Sequence, residues 1–307
     1  MALPSSGQLS LEDIRAELGA GTSNVSLRSL SSTAGFAVPD AISEFYGYSA
    51  YSNGYYYIND GTDDYIQGLW EGQTSLANND WSISFWVKQD APTATNQQLW
   101  DFNANGTINS GNTTNRLFLQ YNASLNRFLV RLRTNSTNFD RQWALHDNNS
   151  VTGTGPLSSN TWTSSNPGNT NAIGWTMITV TYDASQTTAT AALKIYWNGA
   201  ELTSQAAATS GTRTNNTMGY LCLCASQHNV GSGNSNIFMD EWAFYNDLLT
   251  STEVSALYNS GTIVSPHTIN TTNLQEVVQF TSVTTSINTY LGNYSGTISG
   301  GTVEAYS

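Results

Sequence analysis

WSISFWVKQ, from Trp81 to Gln89, sets Ile83, Phe85 and Val87 on one side of an extended chain and Ser82, Ser84 and Trp86 on the other. That two-residue period is the mark of a strand with one face in a core. It recurs in RLFLQYNASLNRFLVRLRT, which reads as a hairpin whose second strand turns Phe128, Val130 and Leu132 to one face. GWTMITVTYDASQTTATAALKIYWNGAEL gives two more strands with a turn at Asn198-Gly199, and NIFMDEWAFYNDLL gives a last long one. YYYINDGTDDYIQG reads as strand, Asp60-Gly61 turn, strand. TSTEVSALYNSG breaks the alternation: Thr250 and Glu253 form a capping box and Gly261 stands at the stop, so a short helix closes the stretch.

Both ends of the chain differ from this pattern. Residues 1 to 50 hold Glu12, Asp13, Arg15, Glu17, Arg28 and Glu44, the charge-dense and helix-like part of the sequence. Ser10 and Asp13 resemble a capping box, with Leu11, Ile14 and Leu18 on one stripe ended by Gly19. A second turn is expected at Ser26 with Leu27 and Leu30, and a third at Pro39-Asp40 with Ile42, Phe45 and Tyr46. So small an apolar set buries little surface alone, and the module is expected to dock on a partner or on the sandwich. Residues 265 to 307 are rich in Thr, Ser and Asn, with β-propensity and little charge. An uncovered strand there is a liability unless it pairs, so the segment is expected either to serve assembly or to add a strand to its own sandwich. The division is therefore 1–50, 51–264 and 265–307.

Composition fits many short strands joined by turns: charged residues are 10% and aromatics 11% of 307 residues. A net charge of -12 repels a phosphate backbone, which argues against nucleic acid as a partner. No run of 18 apolar residues is present, and the start MALPSSGQLSLEDIRAELGA has no basic n-region or apolar h-region, so neither membrane insertion nor a standard secretion signal is expected. Cys222 and Cys224, at i and i+2, would share one strand face as buried small hydrophobes, a poor geometry for a disulfide.

DGTDDYI, WSISFWVK, GWTMITVTYD, LKIYWNG and FMDEWAFYNDLLTSTEVSALYNSG follow one another in an order and spacing similar to laminin-G-like domains of the concanavalin-A-like superfamily. The resemblance covers roughly two-thirds of the chain. It implies an all-β, antiparallel jelly-roll sandwich, here with a helical N-terminal module and a β-rich C-terminal extension. The leader, LPSSGQLSLEDIRAELG, SLRSLSSTAGF and PDAISEFYGYS, is similar to short leaders on structural proteins of bacteriophages, cyanophages especially. That resemblance implies a virion structural protein, either a capsid-surface decoration protein or a tail or fibre appendage. Its expected partners are other virion proteins and copies of itself. The alternative is an adhesin that binds host surface glycan.

Catalytic patterns are missing. Glycoside hydrolases on this fold use two carboxylates on one groove, often at i and i+4 of a strand, and no strand offers that spacing. Asp240 and Glu241 are neighbours that would face opposite ways. There is no G-x-S-x-G elbow or phosphate loop, so a non-enzyme is expected. The resemblance implies a structural calcium, with Asp240 as a ligand and Asp60 as a second candidate. For sugars the useful side chains are exposed aromatics. Trp143, Trp162 and Trp70 stand in polar, loop-like surroundings and are the candidates, whereas Trp81, Trp86, Trp175, Trp197 and Trp242 stand on strands and are expected in the core. Arg127, Arg131, Arg133 and Arg141 form a local basic patch, to meet an acidic glycan, an acidic neighbouring subunit or solvent.

Overall fold

A computed structural model of the chain describes residues 7–17, 26–33, 41–45, 55–59, 61–62, 64–72, 75–89, 96–104, 115–135, 137–146, 155–157, 162, 174–214, 217–225, 235–261, 263, 265–266, 272–280, 287–289 and 291–305. The strands among them are β1 (Tyr55–Ile58), β2 (Tyr65–Trp70), β3 (Trp81–Gln89), β4 (Asn96–Asn103), β5 (Arg116–Asn122), β6 (Arg127–Thr134), β7 (Thr137–Ala144), β8 (Thr176–Tyr182) and β9 (Leu193–Trp197). They continue with β10 (Ala200–Glu201), β11 (Gln205–Ser210), β12 (Tyr220–Leu223), β13 (Ile237–Tyr245), β14 (Leu274–Gln279), β15 (Asn288–Thr289), β16 (Tyr294–Ser299) and β17 (Thr302–Ala305). The α-helices are α1 (Leu11–Glu17), α2 (Leu27–Thr33), α3 (Ala189–Ala192) and α4 (Ser251–Tyr258).

All pairings are antiparallel and build two sheets. One runs β10-β9-β8-β3-β13-β1-β17, with β14 and then β15 branching from β13, and the other runs β11-β7-β6-β5-β4-β12-β2-β16. Their facing sides enclose one core, in which Ile83, Phe85, Val87, Phe128, Val130 and Leu132 all point inward as their alternation demands. The nine-stranded sheet is buried on its other side too. There Trp86, Trp175, Met177 and Tyr245 pack under α4, which contributes Val254 and Leu257. α4 begins on the expected box, with the Thr250 N–H donating to Glu253 Oε2 at 2.8 Å and the Glu253 N–H donating to Thr250 Oγ1 at 3.3 Å. It ends at a left-handed Asn259. Asn198 and Gly199 both have positive φ, 52° and 81°, as the two-residue β9–β10 turn requires.

Two local expectations are corrected. β1 and β2 lie in different sheets, so the Asp60-Gly61 segment crosses between layers instead of closing a hairpin. Asn59 braces the crossing by donating to the carbonyls of Asp64 and Cys224, at 2.7 and 3.2 Å. Cys222 and Cys224 do not share a face. Cys224 lies past the end of β12 with φ 66°, which turns its Sγ into the core within 4.0 Å of Met239 Sδ, whereas Cys222 points to the outside of its sheet. Both are buried.

Residues 265–307 meet the second of their two expectations, since their described strands pair with the sandwich. β14 pairs with β13, β16 with β2, and β17 with β1, so both sheets carry edge strands from this segment. Val278, Phe280, Tyr294, Ile298 and Val303 belong to the core. Buried Glu276 secures the return of the chain, accepting from the backbone N–H groups of Leu291, Asn293 and Tyr294 at 2.8, 2.6 and 3.1 Å.

In the leader, α1 carries the expected Ser10–Asp13 box, with the Asp13 N–H donating to Ser10 Oγ at 3.1 Å and the Ser10 N–H to Asp13 Oδ2 at 2.8 Å. α2 opens on a similar reciprocal pair, Ser26 and Ser29. Ile14, Leu30 and Phe45 are wholly buried, and none of them belongs to the sandwich clusters. The third turn forms as a 3₁₀ segment, Ile42–Phe45. Among the described residues no helix is long and apolar enough to cross a membrane.

Candidate functional site

The outward face of the eight-stranded sheet is set by alternation in three adjacent strands. In β5, Leu117, Leu119 and Tyr121 enter the core, so Arg116, Phe118 and Gln120 face away from it. β6 presents Leu129, Arg131 and Arg133 on the same side, and β7 presents Asn138, Asp140 and Gln142. With β4 added, the register places these side chains in cross-strand rows: Asn103, Arg116, Arg133, Asn138; then Asp101, Phe118, Arg131, Asp140; then Gln98, Gln120, Leu129, Gln142. The middle row continues over β12 and β2 as Cys222 and Gln67.

The middle row is an ordered electrostatic unit. Arg116 grips Asp101 through two nitrogens, Nε to Oδ1 at 3.3 Å and Nη2 to Oδ2. Arg131 Nε donates to Asp140 Oδ2 at 2.8 Å. Phe118 lies between the two cations, 4.8 Å from the Arg116 guanidinium carbon and 5.9 Å from that of Arg131. Although turned away from the core, Asp101, Asp140, Phe118 and Arg116 are 0 to 7% exposed, whereas Gln120, Gln142, Arg131 and Arg133 are half-buried. Burial, with the Asp101 carboxylate adding to it, holds the Cys222 thiol well above its ordinary pKa, so the sulfur stays protonated. The surface thus offers planar amides and guanidinium groups around one phenyl ring, with donors and acceptors interleaved.

Asp101 and Asp140 cannot act as a hydrolytic pair. Three strand spacings separate them, about 14 Å, against roughly 5 to 9.5 Å between the carboxylates of glycoside hydrolases. Each is also held in an ion pair.

The tryptophan candidates are corrected. Trp70, Trp143 and Trp162 are at most 2% exposed and none offers a stacking face. Trp70 and Trp143 occupy inward strand positions, paired with Tyr294 and Phe128, which their polar flanks conceal in the sequence. Trp162 closes the core edge-on against Tyr121, Phe128 and Trp197, with centroids 5.2 to 5.7 Å away. Trp81, Trp86, Trp175, Trp197 and Trp242 are buried as expected.

The basic patch changes membership. Arg127, Arg131 and Arg133 do share the face, joined by Arg116. Arg141 points inward, donating to the carbonyls of Thr190 and Leu193 at 2.9 and 2.6 Å, with burial lowering its pKa. The signal for the face was present in RLFLQYN and RFLVRLRT, where every second residue is a guanidinium, amide or large side chain.

Asp240 is buried, and its Oδ1 accepts the Glu241 N–H at 2.8 Å. Glu241 is engaged instead by the Gln279 amide. Among the described residues no group of three His, Cys, Asp or Glu side chains is placed to hold a metal, and Asp60 lies outside the described residues.

Residues 60–255 match the laminin-G-type family described as the concanavalin A-like lectin/glucanases superfamily. No curated protein matches the chain. Among solved structures, the fold is similar to that of a Bacteroides ovatus ATCC 8483 protein put forward as carbohydrate binding, with 14% identity and a TM-score of 0.50 over 84% of this chain and 62% of that one. A heptameric SAP-like pentraxin from Limulus polyphemus aligns at 11% identity and a TM-score of 0.45, over 81% of this chain and 96% of its own. The receptor binding domain of botulinum neurotoxin type G aligns at 14% and 0.41, over 68% and 42%. The chain spans less than two thirds of the Bacteroides protein, and at such identities the likeness is one of fold.

Proposed function

The chain belongs to the concanavalin A-like lectin/glucanases superfamily, and on that premise we propose that it is a non-enzymatic carbohydrate-binding protein whose ligand rests on the outward face of the eight-stranded sheet. The observation that carries this reading is the lattice of Arg, Asp and Gln side chains around Phe118. Each sugar hydroxyl both donates and accepts, so interleaved amides and ion-paired groups match a pyranose edge. The buried phenyl ring holds the Arg116 and Arg131 guanidinium groups in place and is not itself a stacking platform. The half-buried Gln120 and Gln142 flank it within reach of solvent. The separation and ion pairing of Asp101 and Asp140 support the non-enzymatic part.

A glycan array on the purified chain, followed by calorimetry, tests the reading. Binding to at least one glycan class is expected, with no new reducing ends after long incubation. Gln120→Ala and Gln142→Ala should each weaken it about tenfold, the cost of a lost hydrogen bond of roughly 1 kcal/mol or slightly more, with an unchanged circular dichroism spectrum. Binding to no glycan sinks the reading, and reducing ends sink its non-enzymatic half.

The leader favours a second, compatible reading: a structural protein of a bacteriophage particle, on the capsid surface or the tail, with the sandwich facing outward. It is supported by the resemblance of residues 3–49 to phage leaders. Mass spectrometry of purified particles tests it, and absence of the chain from them overturns it.

A further inference from the structure

The chain is acidic, with 22 Asp and Glu against 10 Lys and Arg. Yet Arg116, Arg127, Arg131 and Arg133, four of those ten, project from the outward face of two adjacent strands, β5 and β6. The described acids among them, Asp101 and Asp140, are bound to Arg116 and Arg131. That leaves Arg133 next to like charge. It stands directly across the strand pair from Arg116 and two residues from Arg131. Its buried Nε has no hydrogen-bond partner. Like charges directly opposite one another on a sheet repel, and because Arg133 is only half-buried the terminal nitrogens of its guanidinium, not the enclosed Nε, are the ones suited to an incoming carboxylate or sulfate. Beside it in the row stands Asn138, half-buried, with an amide to hold a neighbouring hydroxyl.

We propose that the ligand of this face is an anionic glycan, with the carboxylate or sulfate of one sugar seated on Arg133 and the neutral part of the chain crossing the Gln120–Gln142 row. The proposal rests on the glycan-binding reading and sharpens it to one ligand class. An ordinary surface cation on an acidic protein would be distributed among acids. Here the basic groups are gathered where the polar lattice already lies, so the field at the face opposes the sign of the whole molecule.

The test compares each charged oligosaccharide with its own neutral form: an oligouronate against its carboxyl-reduced product, and a sulfated oligosaccharide against its desulfated product. Calorimetry on the full chain should show one charged form bound at least tenfold tighter than its neutral counterpart, with the ratio shrinking as salt rises from 50 to 500 mM. Which pair shows the ratio distinguishes carboxylate from sulfate. Arg133→Gln should bring the ratio close to one, and Arg133→Lys should restore part of it. Equal affinity for charged and neutral forms overturns the anionic assignment while leaving glycan binding intact. Inorganic polyphosphate binding as tightly as the oligosaccharide also overturns it, since charge alone would then suffice. Binding to neither member of either pair, with no other glycan bound, removes both.

Discussion

Glu241 is a buried carboxyl group whose titration the fold moves to neutral pH. It sits at φ 50° in a β-bulge, where the register between β13 and β3 shifts after Asp240 and where β14 replaces β1 as the neighbour of β13. The bulge lets one strand serve two partners on the same side, and it turns the Glu241 carboxylate under the amide of Gln279, at 2.8 and 2.9 Å. Burial pushes the carboxyl up to about 7, against the downward pull of the Gln279 and Ser265 hydrogen bonds. In the unfolded chain the same group titrates near 4.3. Between those values the folded state holds more protons, so this group's contribution to stability is complete below about pH 4 and is lost as pH rises through 7. The urea midpoint of Glu241→Gln should therefore exceed that of the unmodified chain by more at pH 8 than at pH 5. A constant difference at the two values would mean that Glu241 is ionised throughout.

At the scale of elements, β16 closes the eight-stranded sheet only because two glycines face each other, Gly68 of β2 and Gly296 of β16. A Cβ on Gly68 would lie 1.7 Å from the Ser295 carbonyl oxygen, and one on Gly296 would meet Ile287 and the Tyr294 ring at 2.6 to 2.7 Å. The obstacle at Gly68 is backbone and cannot rotate away. Gly68→Ala should cost on the order of 1 to 3 kcal/mol, with exchange of the β16 amides rising first, and an unchanged melting temperature would contradict this. Such a constraint is invisible in YIQGLW, where the glycine looks like a lapse in a strand. What sequence does reveal is what neighbours decide: the alternation of β3, the β5–β6 hairpin, the Asn198-Gly199 turn and the Thr250–Glu253 box. What it conceals depends on distant partners. The Asp60-Gly61 pair suggests a hairpin, but β1 and β2 find better partners in opposite sheets. Trp70 and Trp143 look exposed among polar neighbours although strand parity sends them inward. The proposed binding face was half legible, since three of its arginines were grouped, while Phe118 and the acids that organise it gain meaning only from register.

For the molecule as a whole, the question is where the folding unit ends. The family match stops at residue 255, and α4 with Gly261 reads as a natural terminus. The pairing says otherwise, because β14, β16 and β17 take up hydrogen-bonding positions on β13, β2 and β1. Phe280 stacks on Tyr57 with centroids 5.7 Å apart, and the Tyr294 hydroxyl donates to the Leu221 carbonyl at 3.2 Å, so the segment fastens both sheets from inside. Removing it would strip several large apolar side chains from the core, each worth roughly 1.5 to 3 kcal/mol when fully buried, against a total stability on the order of 5 to 15 kcal/mol. A chain cut after residue 264 should therefore lack a cooperative thermal transition. A chain that starts at residue 51 should retain one, since Ile14, Leu30 and Phe45 contribute to neither sandwich cluster. Calorimetry on the two truncations separates the cases: cooperative melting of the first at the full-length temperature would show that the sandwich ends near Gly261 and that the later strands only decorate its edges.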